Sequence, residues 1–172
     1  MRLSVVPVFW TEEREIADVI SLLSDVMRFE KISVKAQITE APAGSFDRTR
    51  GQYKAEKLLD FISAMRKESD EILLGVTEFD LYYPGLNFVF GLAKPGDCAI
   101  ISLCRLRQEF YGLRPDRNMF IVRAVKEAVH ELGHVLHLSH CENRNCVMFF
   151  SNSIMDTDAK GCRFCPSCQK KL

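Results

Sequence analysis

All four histidines of this 172-residue chain fall within eleven positions, in the stretch HELGHVLHLSHC from His130 to Cys141. His130 and His134 are four residues apart, so on a helix both imidazoles face one side, one turn apart, and can reach a single Zn²⁺ at about 2.0–2.1 Å. Glu131 stands beside the first of them, where it can take a proton from metal-activated water. A catalytic site with one open coordination position needs a third protein ligand, for which the chain offers His137 and His140. If the helix continued, His137 would stand about 10 Å from His130 along the axis at about 1.5 Å per residue, too far to share an ion. His140 reaches it only after a sharp turn. A site of this kind, with His140 as third ligand, would need a helix ending in a reversal and a fold around it that leaves one face of the metal open.

The rest of the sequence is consistent with such a domain. Hydrophobic residues make up 47% and charged residues 27% of the chain, which excludes a disordered or low-complexity protein. Lys plus Arg equals Asp plus Glu at 23 each, so no bulk field draws the protein to nucleic acid or anionic lipid, and neither is expected as a partner. No segment reads as a signal peptide or a membrane span, no pro-segment is expected ahead of the domain, and the expected location is the cytoplasm. Five of the seven cysteines, Cys141, Cys146, Cys162, Cys165 and Cys168, crowd the end of the chain. Without a secretion signal, that clustering favours metal over disulfides.

Hydrophobic periodicity predicts the order of elements. A strand over 3–10 is followed by a helix over about 12–29, capped by Thr11, and by a half-buried strand over 32–38. A second helix spans about 51–68, and the apolar run Ile72–Val76 is a central strand. Residues 87–93 and 98–106 read as a hairpin joined through Lys94–Asp97. Cys98 and Cys104 then lie in a strand as plain buried residues. The motif helix starts near Asp116 or Asn118, with Ile121, Ala124, Val125, Ala128, Leu132 and Val135 as its buried stripe and His130, Glu131 and His134 off it. The fold class is α/β (α+β), a mixed twisted sheet with packed helices. Residues 1–138 form the sheet and helix portion and 139–172 a small cysteine-rich appendage to the same domain.

HELGHVLHLSH resembles the metzincin zinc-peptidase signature HExxHxxGxxH, with His137 where that pattern has the helix-ending Gly. The left-handed conformation needed there costs Gly nothing, and among other residues His is enriched in it. The stretch continues as C-x4-C-x-M (Cys141, Cys146, Met148) and, after sixteen residues, Cys165-Pro-Ser-Cys168. Over residues 130–168 the chain is similar to the archaemetzincin family. The resemblance implies His130, His134 and His140 on a catalytic zinc, Glu131 as general base, and Cys141, Cys146, Cys165 and Cys168 on a second, structural zinc. Met148 is implied as the methionine beneath the catalytic site, with Met155 as its rival, and Cys162 is a spare that a short loop shift would exchange for Cys165.

The expected activity is peptide hydrolysis, and the resemblance includes aminopeptidase-like enzymes with few accepted substrates. A peptide is expected to lie against an exposed edge strand within Asn87–Ala93. Phe149 and Phe150 follow Met148 where some metzincins place a Tyr, and neither donates a hydrogen bond. The competing expectation is therefore a two-zinc scaffold without meaningful turnover. A redox dithiol at Cys162 and Cys165 is weaker, because it lacks a strand-to-helix setting.

Overall fold

The computed structural model describes residues 1–9 and 11–172. It builds a five-stranded sheet in the order β2-β1-β5-β8-β7, from β1 (Arg2–Val8), β2 (Lys31–Val34), β5 (Glu71–Thr77), β7 (Gly91–Lys94) and β8 (Cys98–Ser102). The first four are parallel, and β7 returns antiparallel to β8 as an edge. A smaller sheet joins β3 (Phe46–Asp47), β4 (Gln52–Lys54) and β6 (Leu81–Tyr82). Helix α1 (Glu13–Val26) and the long α3 (Arg117–Val135) pack on one face, and α2 (Ala55–Ser63) packs on the other. The short helices α4 (Ile154–Ala159) and α5 (Pro166–Gln169) lie in the cysteine-rich tail. The molecule is thus a mixed α/β layer fold. Among the described residues, no helix is long and apolar enough to cross a membrane.

All seven residues of β5 are buried, as expected of a central parallel strand covered by helices on both faces. β1 ends at Val8, Phe9 leaves the strand at φ 63°, and the last residue of the expected strand, Trp10, lies outside the described residues. Thr11 does not cap α1. Its hydroxyl donates instead to the carbonyls of Val8 and Val76, and Glu12 occupies the capping position. The strand expected over 32–38 stops at Val34 because its neighbour β1 carries Pro7, which has no N–H for the ladder. Pro7 can only accept, and the chain rejoins there through Ile38, whose N–H donates to Pro7 O at 2.9 Å.

Helix α2 is shorter than the predicted 51–68, since residues 52–54 pair with β3 and β6 instead of coiling. The hairpin is confirmed, but its first strand starts only at Gly91 and takes in Lys94, which pairs with Cys98, and β8 ends at Ser102. Cys104 begins a 3-10 turn and is half-buried, not a strand residue.

Candidate metal centre

Asp116 caps α3 by accepting the Met119 N–H at 2.9 Å. The apolar stripe packs on α1 and the sheet, with Ile121 only half-buried. The opposite face meets the tail, where Lys126 donates to the carbonyls of Thr157 and Asp158 and His130 to that of Val147. His130 and Glu131 are 5% and 6% exposed and sit inside the protein, not on a helix surface.

The helix ends where the sequence demands a reversal. The His137 N–H donates to His134 O at 2.9 Å and the Leu138 N–H to Gly133 O at 2.9 Å. This is the pair of bonds that closes a Schellman motif. His137 sits at φ 65°, the left-handed conformation that the position requires. His137 is thus the turn residue, and the reversal delivers His140 to the other two imidazoles. The Nε2 atom of His134 lies 3.2 Å from that of His130 and 3.2 Å from that of His140. Nitrogens on one tetrahedral zinc at about 2.0–2.1 Å stand roughly 3.3 Å apart, so the three atoms fit that ion.

The outer ring nitrogens are tied to the backbone. His130 Nδ1 donates to Val147 O at 2.7 Å and His134 Nδ1 to Leu138 O at 2.8 Å, which leaves each Nε2 lone pair free for a metal. Burial, with the neighbouring Lys160 ammonium second, pushes the His130 pKa down to about 2, and burial lowers those of His134 and His140. All three are held neutral, the form a metal takes. Burial, reinforced by the charge of Glu127, pushes the Glu131 carboxyl up to about 8.

Two glycines make room for this machinery. A Cβ on Gly133 would lie 2.3 Å from Met148 Sδ, and one on Gly91 would lie 2.6 Å from Glu131 Cγ. Met148 is fully buried against the turn of α3 between the two histidines, whereas Met155 is 76% exposed. Met148 is therefore the methionine beneath the site.

A second cluster forms directly behind the first. The thiols of Cys141, Cys146, Cys165 and Cys168 lie within 4.8 Å of one another. The Sγ separations are 3.8 Å for Cys141 and Cys165 and 3.7 Å for Cys146 and Cys168. Thiolates at about 2.3 Å from one tetrahedral zinc stand roughly 3.8 Å apart. Cys165 owes its place to α5, which it precedes and whose first residue is Pro166, a favoured opening that pins the helix start. Hydrogen bonds, first that with Cys168 and then those with the other thiols, lower the Cys165 pKa to about 6. Cys162 stays outside this group of four.

The histidines open into a cleft of about 310 Å³. Residues 86–91, leading into the edge strand β7, form one wall, and Phe150, Ser151 and Asn152 line the other. The Phe150 ring lies tilted at 56° beside that of His140, with ring centroids 4.8 Å apart. Sequence reasoning missed Glu127 and Lys160, which lie beside His130, and the two glycines. Glu127 was legible, since Arg123, Lys126, Glu127 and His130 share one face of α3. A lone lysine in the tail carried no such signal.

A mixed sheet backed by a helix with two histidines one turn apart, and a third brought in by a left-handed turn over a buried methionine, defines a metzincin-class zinc peptidase. Comparison with known proteins agrees. The profile of peptidase family M54 matches residues 12–172. The archaemetzincin of Pyrococcus furiosus is 46% identical over 165 residues, 91% of this chain and 86% of its own. The crystal structure of archaemetzincin from Methanopyrus kandleri superposes with a TM-score of 0.84 at 39% identity, covering 100% of this chain and 95% of that one. A zinc-dependent peptidase from Methanocorpusculum labreanum gives 0.87 at 32% identity, covering 98% of both chains.

The chain belongs to peptidase family M54, the archaemetzincins, and is a zinc metallopeptidase. The alternative expectation, a scaffold without turnover, is not favoured by these relatives.

Proposed function

We propose that His130, His134 and His140 hold the catalytic zinc, that Glu131 is the general base, and that Cys141, Cys146, Cys165 and Cys168 hold a second, structural zinc. The convergence of three imidazoles, with His134 Nε2 3.2 Å from those of His130 and His140, beside a buried carboxyl in a cleft, carries the reading. A zinc bound at the histidines would polarise a peptide carbonyl and activate water. Glu131, desolvated against Gly91 so that its proton affinity is raised, would accept the water proton once a nearby zinc charge holds it ionised, and would return that proton to the departing amine.

The peptide would lie extended along residues 86–91 toward the free edge of β7, where the backbone offers hydrogen bonds that any sequence can use. Residues 1–172 would act as one catalytic domain, with 139–172 as its zinc-bound subdomain, in the cytoplasm, on peptide or protein substrates. The test is a peptide-library digest. The zinc-loaded chain should cleave members of the library, lose cleavage on chelation and regain it on zinc addition. Product masses would show whether the cuts begin at the amino terminus. No cleavage of any peptide would contradict the reading.

A further inference from the structure

Lys160 is a charged residue enclosed in the fold, its side chain 0% exposed. Its ammonium lies 3.1 Å from Glu127 Oε1 and 3.5 Å from His130 Nδ1. Glu127 is itself 2% exposed, lines the metal cleft, and also accepts the Thr157 hydroxyl at 3.1 Å. A buried ion pair is a poor way to gain stability, because desolvating both charges costs about as much as their attraction returns. Apolar residues of similar size would serve at least as well, so this pair calls for another explanation.

That explanation lies in what the pair connects. Lys160 directly follows α4, and α4 is held to α3 by two further residues of the same face. Arg123 forms a bidentate pair with Asp158 at 2.7 and 2.6 Å, and the Lys126 ammonium donates to the carbonyls of Thr157 and Asp158, each at 2.9 Å. Immediately after Lys160 the chain runs alongside residues 145–147. The Gly161 N–H donates to Asn145 O at 3.2 Å, and Arg163 O accepts the Val147 N–H at 3.0 Å. Val147 is the residue whose carbonyl orients His130, and Met148 follows it. Lys160 therefore stands where the metal-binding turn of α3, the loop presenting Val147 and the chain running on to Cys165 meet.

We propose that Lys160 is a positioning residue for the histidine metal site, acting through Glu127 and His130. Its ammonium bounds the His130 ring on the Nδ1 side, so that the ring rests against Val147 O with Nε2 aimed at the metal. It also fixes Glu127 by an ion pair, which keeps that carboxylate of the cleft from swinging toward the ion and closing the open coordination position. The pair thereby secures both the direction of one ligand and the vacancy that a substrate needs. This assignment rests on the histidine zinc site proposed above.

The test compares Lys160→Met with Lys160→Met/Glu127→Gln in the full zinc-loaded chain. Thermal unfolding, zinc affinity at each site by chelator competition, and kcat and KM would be measured. Lys160→Met leaves a buried carboxylate without its partner and should lower stability. The double variant removes both charges and should recover stability and the cysteine-bound zinc. It should still bind the histidine zinc about 10- to 100-fold more weakly, the usual loss when an outer-shell partner is removed, with reduced kcat at unchanged KM. A double variant with wild-type zinc affinity and kcat would overturn the proposal, and so would one that fails to fold, since the pair would then be a folding element. A wild-type chain that takes no zinc at the histidines would instead fail the site reading, and this assignment with it.

Discussion

Replacing Glu131 with alanine should leave the fold and both metal sites intact and cut peptide hydrolysis by about 10²- to 10⁴-fold, the usual worth of a positioned general base. The carboxyl makes no ion pair among the described residues, and it faces Gly91 and the cleft instead of the histidine nitrogens. Removing it therefore takes away proton transfer without removing a ligand. Glutamine, nearly isosteric and without basicity, should behave like alanine, which separates the loss of the base from the loss of packing. Zinc content measured on the same samples distinguishes this outcome from metal loss. A variant retaining wild-type kcat/KM would remove Glu131 from the mechanism.

Replacing Cys165 and Cys168 together by serine should have the larger effect on the fold. A closed four-thiolate site contributes an apparent binding energy of about 10–16 kcal/mol, comparable to or greater than the net stability of about 5–15 kcal/mol of a whole domain. Losing it should release the chain beyond residue 139. The damage should not stop there. Cys141 directly follows His140, and its N–H donates to Met148 O at 2.9 Å, while Cys146 lies two residues before Met148 and one before the carbonyl that orients His130. The double serine variant should accordingly lose both ions and melt at markedly lower temperature, as followed by zinc analysis and circular dichroism. An unchanged, fully metallated fold would show that the second cluster steadies nothing.

The features set by local chemistry could be read from the chain. The spacing of His130 and His134 fixed one helix face, and the reach of an α-helix excluded His137 as a ligand before its left-handed φ was seen. The buried run at Ile72–Val76 and the turn at Lys94–Asp97 were equally local. What escaped the sequence depends on distant partners. The strands at 46–47, 52–54 and 81–82 are two or three residues long and exist through pairing with one another, so they leave no periodic trace. The shortening of the strand after Lys31 follows from a proline in its neighbour. His130 lay off the apolar stripe because the tail covers it with polar partners, Val147 O and Lys160, whereas Glu131 is buried against Gly91. Cys165 and Cys162 could not be separated by spacing, and the choice falls to the short helix opened by Pro166.

On the proposed reading, one short stretch, His130 to Cys141, joins two metal sites with different tasks. Zinc per folded chain, measured by elemental analysis on wild type beside a His130→Ala/His134→Ala variant, tests it most directly. Two zinc ions are expected in the wild type and one in the variant, with the remaining ion resisting chelation as a closed thiolate site does. A wild-type chain holding a single zinc, or a histidine variant that still holds two, would contradict it.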